Sequence, residues 1–171
     1  RVCLLSGRDV FNALKGENLI VMACNTRISH VIPGIMKAAE ELDAVIAFEL
    51  TRTEGGLDGG YTGQTPESFF KTVIAFAEKT AFTKPFIIHA DHITIRDTGS
   101  EERYTSFTID ASFNPLPDNI EIVSRLAEPV EAMGYGLELE LGEAGHAVDR
   151  PALTSPAEAG SFLAEVTARE I

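Results

Sequence analysis

The chain has 171 residues, a hydrophobic fraction of 44 % and a formal net charge of −12. That length suits one domain, and that apolar share suits a packed core. The acidity argues against nucleic acid as a partner, because phosphate neutralisation needs a basic surface; it leaves room for a small phosphorylated ligand in a locally positive pocket.

No apolar run reaches the roughly 18 residues of a membrane span, and Arg1-Val2-Cys3-Leu4-Leu5 is too short for a signal peptide, so no membrane partner is expected. Cys3 and Cys24 form no metal or redox spacing and are expected as reduced thiols of a cytoplasmic protein. The chain opens on Arg1 rather than Met, and an upstream segment is expected.

Residues 19–24 form an apolar run of strand length. Residues 32–42 read as a helix, with Ile32, Ile35, Met36 and Ala39 on one face. Residues 44–50 read as a second strand, followed by a loop holding Gly55, Gly56, Gly59, Gly60 and Gly63. Thr65 caps a helix with Pro66 at its first position, running to about Phe82. Residues 86–90 and 106–110 are strands three and four, 118–133 a helix, and 137–141 strand five. Ser155-Pro156 opens a last helix with the same cap-then-proline start. Strands alternating with helices imply parallel βαβ units, which suit a (β/α)₈ barrel or a doubly wound sheet. No G-x-G-x-x-G fingerprint follows strand one, which weakens the dinucleotide-binding version.

Only 12 residues separate His92 from Thr105, a tight fit for a crossover, and Asp97 to Glu102 reads as a helix start without a body. A complete barrel needs about 250 residues. The expectation is a single domain over 1–171 that is the first five or so β/α units of a barrel, with a segment missing near Glu102-Arg103.

The chemistry gathers at strand ends. His89-Ala90-Asp91-His92 closes the apolar run Pro85-Phe86-Ile87-Ile88, and a buried charge is costly unless paired or bound to a cation. In Leu137-Glu138-Leu139-Glu140-Leu141 the leucines take one face and the glutamates the other. In a barrel the glutamates would face the interior; on an edge strand they would be solvated. Asp91, His92, Asp110 and Glu140 fall at carboxyl strand ends, where barrel active sites sit. A metal site and a plain acid/base cluster both fit that pattern. Asn25, just past strand one, suits a polar contact with substrate at the mouth. The glycine loop can approach a phosphate or simply turn, and His30 and His146 carry less weight. No strand carries a lysine for imine chemistry, and Lys84, ahead of strand three, is expected to be exposed.

The chain resembles the class II, metal-dependent fructose-bisphosphate aldolases and their ketose-bisphosphate relatives. The resemblance runs from Ser6-Gly7-Arg8 to Thr154-Ser155-Pro156-Ala157-Glu158. It is carried by Ile88-His89-Ala90-Asp91-His92, Ser106-Phe107-Thr108-Ile109-Asp110-Ala111-Ser112, Asp118-Asn119-Ile120 and Leu137-Glu138-Leu139-Glu140-Leu141-Gly142. It implies a (β/α)₈ barrel, with Zn²⁺ or another divalent metal, that reversibly cleaves a ketose bisphosphate to dihydroxyacetone phosphate and an aldehyde. Asp91 then matches the catalytic acid/base, His92 a metal-binding histidine, and Glu140 a glutamate that ligates the metal in a withdrawn position. Asp110 and Glu138 match acidic positions nearby, and Asn25 a strand-one asparagine facing substrate. A homo-oligomer is implied as well. The family's remaining metal histidines and phosphate-binding loop come later and are expected beyond Ile171.

Two departures stand out. Gly142-Glu143-Ala144-Gly145-His146-Ala147-Val148-Asp149 replaces the family's Gly-Gly-x-Glu-Asp loop, with Glu143 or Asp149 as substitutes for its acid. The strand-two phosphate serine has only Thr51 as a counterpart. The rival expectations are an aldolase of altered substrate and a non-catalytic aldolase-like barrel serving as a binding or regulatory subunit.

Overall fold

A computed structural model describes residues 2–92, 104–112, 114–142 and 154–171. Five strands form one parallel sheet in sequence order: β1 (Met22–Asn25), β2 (Ile46–Thr51), β3 (Phe86–Asp91), β4 (Ser106–Asp110) and β5 (Gly136–Glu140). Helices α2 (Ile32–Leu42), α4 (Pro66–Thr80), α5 (Leu116–Ala132) and α6 (Pro156–Ala168) accompany it, and α1 (Gly7–Leu14) precedes it. This is the α/β arrangement expected from alternating strand and helix signals: a five-strand portion of a parallel β/α barrel.

The start signals act as the sequence indicates. Thr65 accepts from the Ser68 N–H at the head of α4, and Ser155 accepts from the Glu158 N–H at the head of α6. One face of the sheet carries Phe48, Leu50, Phe86, Ile88, Phe107 and Ile109 into the helix layer, where they join Met36, Phe69 and Val123 in the main core. The burial of these large side chains is the chief source of stability.

The opposite face is divided along the strands. Towards the amino ends, Ala47 and Ile87 pack on Val10 of α1 in a small separate cluster. Towards the carboxyl ends the same face carries Glu49, His89, Asp91, Thr108, Asp110, Glu138 and Glu140, because side chains alternate. Helix α1 thus fills the floor and leaves the ionisable residues above it.

Backbone close approach seats α1. The Gly7 N–H donates to the Thr105 carbonyl at 2.8 Å, and Ser6 Oγ donates to the Gly134 carbonyl at 2.8 Å. A Cβ on Gly136 would stand 2.7 Å from the Gly7 carbonyl carbon. Just before α1, the Leu5 N–H donates to the Phe86 carbonyl and the Phe86 N–H donates to the Cys3 carbonyl. Strands β3 and β4 pair only at His89–Ser106 and Ala90–Phe107, so the start of the chain takes up the pairing of β3 at its amino end.

Several expectations change. The strand expected over 19–24 forms over Met22–Asn25, and Leu19 and Ile20 are 65 % and 87 % exposed. Helix α1 was not anticipated. The glycine loop contains a short helix α3 (Arg52–Gly55) and a 3₁₀ turn (Gly60–Thr62). Lys84 is not exposed: its side chain is 24 % accessible and its Nζ pairs with Asp43 at 2.6 Å. The region 97–102, the Glu102-Arg103 junction, Glu143, His146 and Asp149 lie outside the described residues. Among the described residues no helix is long and apolar enough to cross a membrane.

Candidate metal and acid/base centre

The centre is built by the exits of β3, β4 and β5. β3 ends at Asp91, and His92 follows with φ 48, a left-handed backbone that turns its ring back over the sheet. His92 Nδ1 lies 2.6 Å from Glu140 Oε1 and 3.2 Å from Asp110 Oδ2, and Nε2 lies 3.6 Å from Asp91 Oδ1. Asp110 is itself fixed, since its Oδ1 accepts from the Ser112 N–H at 3.0 Å and hydroxyl at 2.6 Å. Four of the six residues singled out in the sequence, Asp91, His92, Asp110 and Glu140, therefore meet at one point.

Glu138 stands one pleat back on β5. Its side chain is 54 % exposed, yet Oε2 lies 3.0 Å from Nε2 of His89, which is 3 % exposed and also 2.7 Å from Thr108 Oγ1. His89 is thus a packed residue behind the mouth, held by Thr108 and Glu138.

Asn25 belongs to a different group. Its Nδ2 donates to Glu54 Oε2 at 2.6 Å, and its Oδ1 accepts from the Arg27 N–H at 3.2 Å and Nε at 3.0 Å. Glu54 is 3 % exposed and also accepts from the Thr51 N–H and the Tyr61 hydroxyl, both at 3.0 Å, with Arg27 at 3.1 Å. The glycines of this loop serve that clasp: Gly60 has φ 49, and a Cβ there would fall 2.5 Å from the Thr53 carbonyl oxygen. Thr51, the counterpart of a phosphate serine, ends β2 with its Oγ1 3.0 Å from that of Thr53.

The electrostatics follow from crowding acids in a partly dry mouth. Burial pushes Glu49 up to about 7, with Asp91 adding to the effect. Burial pushes Glu140 up to about 7, with Asp110 adding and His92 opposing. Asp91 is raised mainly by burial. Burial works against charging His92, but Asp91, Glu140 and Asp110 outweigh it and raise its pKa. For Asp110 burial is outweighed by the two Ser112 hydrogen bonds and its pKa falls; Glu138 is lowered, first by the His89 hydrogen bond.

These residues fit a divalent cation. Ligand atoms of Asp91, His92 and Glu140 lie within 4.8 Å of one another, in a donor set of one imidazole and two carboxylates. Like charges so close need a positive centre or protons between them. Sequence reasoning missed two residues, Glu49 and Glu54. Glu49 carried the same signal as Asp91, an acid in an apolar run, whereas Glu54 sits in a loop with no periodicity to mark it.

Residues 6–169 match the profile of the family described as fructose-bisphosphate aldolase class-II. The chain belongs to that family. It is 29 % identical over 170 residues to a fructose-bisphosphate aldolase of Thermus caldophilus, covering 94 % of this chain and 53 % of the relative. It is 28 % identical over 149 residues to a probable fructose-bisphosphate aldolase of Bacillus subtilis, covering 83 % and 49 %. The chain thus spans about half the length of these relatives. Among solved structures it superimposes on the YdjI aldolase of Escherichia coli K12 with a TM-score of 0.64 at 22 % identity, covering 96 % of this chain and 58 % of that one. A fructose-bisphosphate aldolase of Campylobacter jejuni gives 0.64 at 18 % identity, over 97 % and 55 %. Both confirm the fold.

Proposed function

We propose that the protein containing this chain is a metal-dependent aldolase of the cytoplasm, one that reversibly cleaves a phosphorylated ketose to dihydroxyacetone phosphate and an aldehyde. The observation that carries this reading is the meeting of His92 with Asp91, Asp110 and Glu140 at the carboxyl ends of three neighbouring strands. Family membership supports it. In this reading residues 1–171 form one barrel-building unit within a homo-oligomer.

His92 and Glu140 would hold a divalent ion, Zn²⁺ or another, which supplies Lewis acidity towards a carbonyl oxygen when bound. Asp91 takes the proton of the hydroxyl next to the bond that breaks, and returns it in the condensation direction. Asp110, locked by Ser112, orients the His92 ring. Glu138 and Thr108 hold His89 behind the site. Asn25, anchored by Glu54, offers its amide edge to a substrate hydroxyl. The acidic mouth favours a cation-loaded state before an anionic substrate enters.

The test is release of dihydroxyacetone phosphate from fructose 1,6-bisphosphate and related ketose phosphates, before and after chelation and after metal is returned. Cleavage lost on chelation and recovered with the ion supports the reading. Full cleavage by the chelated protein, or by an Asp91→Ala variant, overturns it; metal binding without cleavage of any ketose phosphate favours a binding role.

A further inference from the structure

Behind the His92–Glu140 mouth lies a second convergence of ligand types. Glu49 and His89 face each other in the β2–β3 register, and Asp91 stands two residues further along β3 on the same face. Ligand atoms of Glu49, His89 and Asp91 all lie within 4.8 Å of one another. The His89 side chain is only 3 % exposed, and its Nδ1 is buried with no hydrogen-bond partner. An orphaned buried nitrogen calls for a specific explanation.

The tautomer supplies one. Nε2 lies 3.0 Å from a Glu138 carboxylate oxygen, which can only accept when ionised, so Nε2 carries the hydrogen. In the neutral ring Nδ1 then bears the lone pair, the form in which histidine ligates a metal while a carboxylate grips its other nitrogen. Glu49 has the complementary deficit. Among the described residues no hydrogen-bond donor reaches its carboxylate, and the charges acting on it are mostly other acids, Asp91, Glu138 and Glu54, with His89 the exception. An unpartnered ring nitrogen and two carboxylates in one close group share a single missing component, a positive centre that accepts from all three.

We infer that Glu49, His89 and Asp91 form a second divalent-cation site, separate from the His92–Glu140 group, for a first-row ion such as Mn²⁺ or Zn²⁺ that takes mixed nitrogen and carboxylate ligands. Glu138 and Thr108 support it from behind by fixing the His89 ring. The site goes beyond the proposed aldol reaction, with Asp91 as the one ligand common to the two groups.

The experiment titrates the metal-stripped protein with Mn²⁺ alone, following free ion by electron paramagnetic resonance, in wild type, Glu49→Gln and His92→Ala. Circular dichroism checks that each is folded. Wild type is expected to bind two equivalents. Each variant is expected to bind one tightly, the other weakening at least about tenfold. A wild-type stoichiometry of one, or a Glu49→Gln protein that binds both equivalents unchanged, overturns the inference. If Glu49→Gln loses an ion while His92→Ala loses none, the second site stands and the aldolase metal assignment falls. Nitrogen NMR of His92→Ala gives an independent check: Zn²⁺ should shift Nδ1 of His89 and leave Nε2 protonated, whereas a ring protonated on both nitrogens with Zn²⁺ in excess overturns the site.

Discussion

His92 Nδ1 and Glu140 Oε1 stand 2.6 Å apart although they leave strands β3 and β5, with β4 between them. Two strand spacings are about 10 Å, so neither side chain reaches the other by standing straight up from the sheet. The left-handed backbone of His92 leans its ring across β4, and Asp110 at the end of β4 meets it on the way.

Removing either end of this contact is expected to weaken divalent-ion binding at the mouth under the proposed function. His92→Ala should lower divalent-ion affinity at least about tenfold, and Glu140→Gln should do so less, since Asp91 and Asp110 remain. Calorimetric titration of the metal-stripped protein checks both. Equal affinity in all three proteins would remove His92 and Glu140 from the ligand set.

Asp91→Asn keeps the shape of the side chain and removes its basicity. A drop in kcat of about 10²–10⁴-fold, with a much smaller change in KM, is expected for a lost proton-transfer group. Steady-state release of dihydroxyacetone phosphate reads it.

The acid cluster makes the metal-free protein sensitive to alkali. Glu49 and Glu140 titrate at about 7 in the fold, against an ordinary 4.5. A carboxyl raised by folding contributes stability that is complete below its ordinary pKa and is lost as pH rises through the raised one. His92, also raised, contributes in the same direction, its stabilisation fading as pH climbs through its raised pKa. The melting temperature of metal-free protein should therefore fall between about pH 5 and about pH 8, and a divalent ion should flatten that fall. A melting temperature that rises over this interval without metal would contradict the electrostatics.

Glu54→Ala removes the buried acceptor shared by the Asn25 amide, the Thr51 N–H and the Tyr61 hydroxyl. A loss of about 1–3 kcal/mol is expected, read from urea unfolding, together with a raised KM as Asn25 loses its anchor. In the wild type this clasp fails in acid: the donors hold Glu54 below its ordinary pKa against burial, so its contribution is kept above about 4.5 and is lost as pH falls through the lowered value.

Gly136→Ala tests the seat of α1. A Cβ would press to within 2.7 Å of the Gly7 backbone, which belongs to a helix and has little freedom to yield. A cost of about 1–3 kcal/mol is expected, with faster hydrogen exchange in residues 7–14.

The parts of the fold that were legible in the sequence are those where burial dictates residue type. Phe86 to Ile88 and Ser106 to Ile109 are buried and read directly as apolar or small runs. Leu19 and Ile20 misled because the same apolar signal lies at an edge where neither residue is covered. Helix α1 escaped notice because it is short; Ser6 as its cap and Val10, Phe11 and Leu14 on one side were the available signal. At the site, an ionisable residue inside a strand was a sufficient mark for Asp91 and Glu140, and Glu49 carried that mark unused. Glu54 had none, because its burial is created by a loop folding on itself rather than by a periodic element.

The pairing of Cys3 and Leu5 with Phe86 sets an order on folding. Residues 3–7 close against positions 86, 105 and 134, so these contacts enclose long loops. During synthesis residues 3–7 wait for these partners until β3 and the turn before β5 have been made; contacts this distant in sequence make folding slow and leave apolar surface open meanwhile. Substitutions that break the pairing of residues 3–7 should therefore cost yield through aggregation of nascent chains before they cost anything at the acidic mouth.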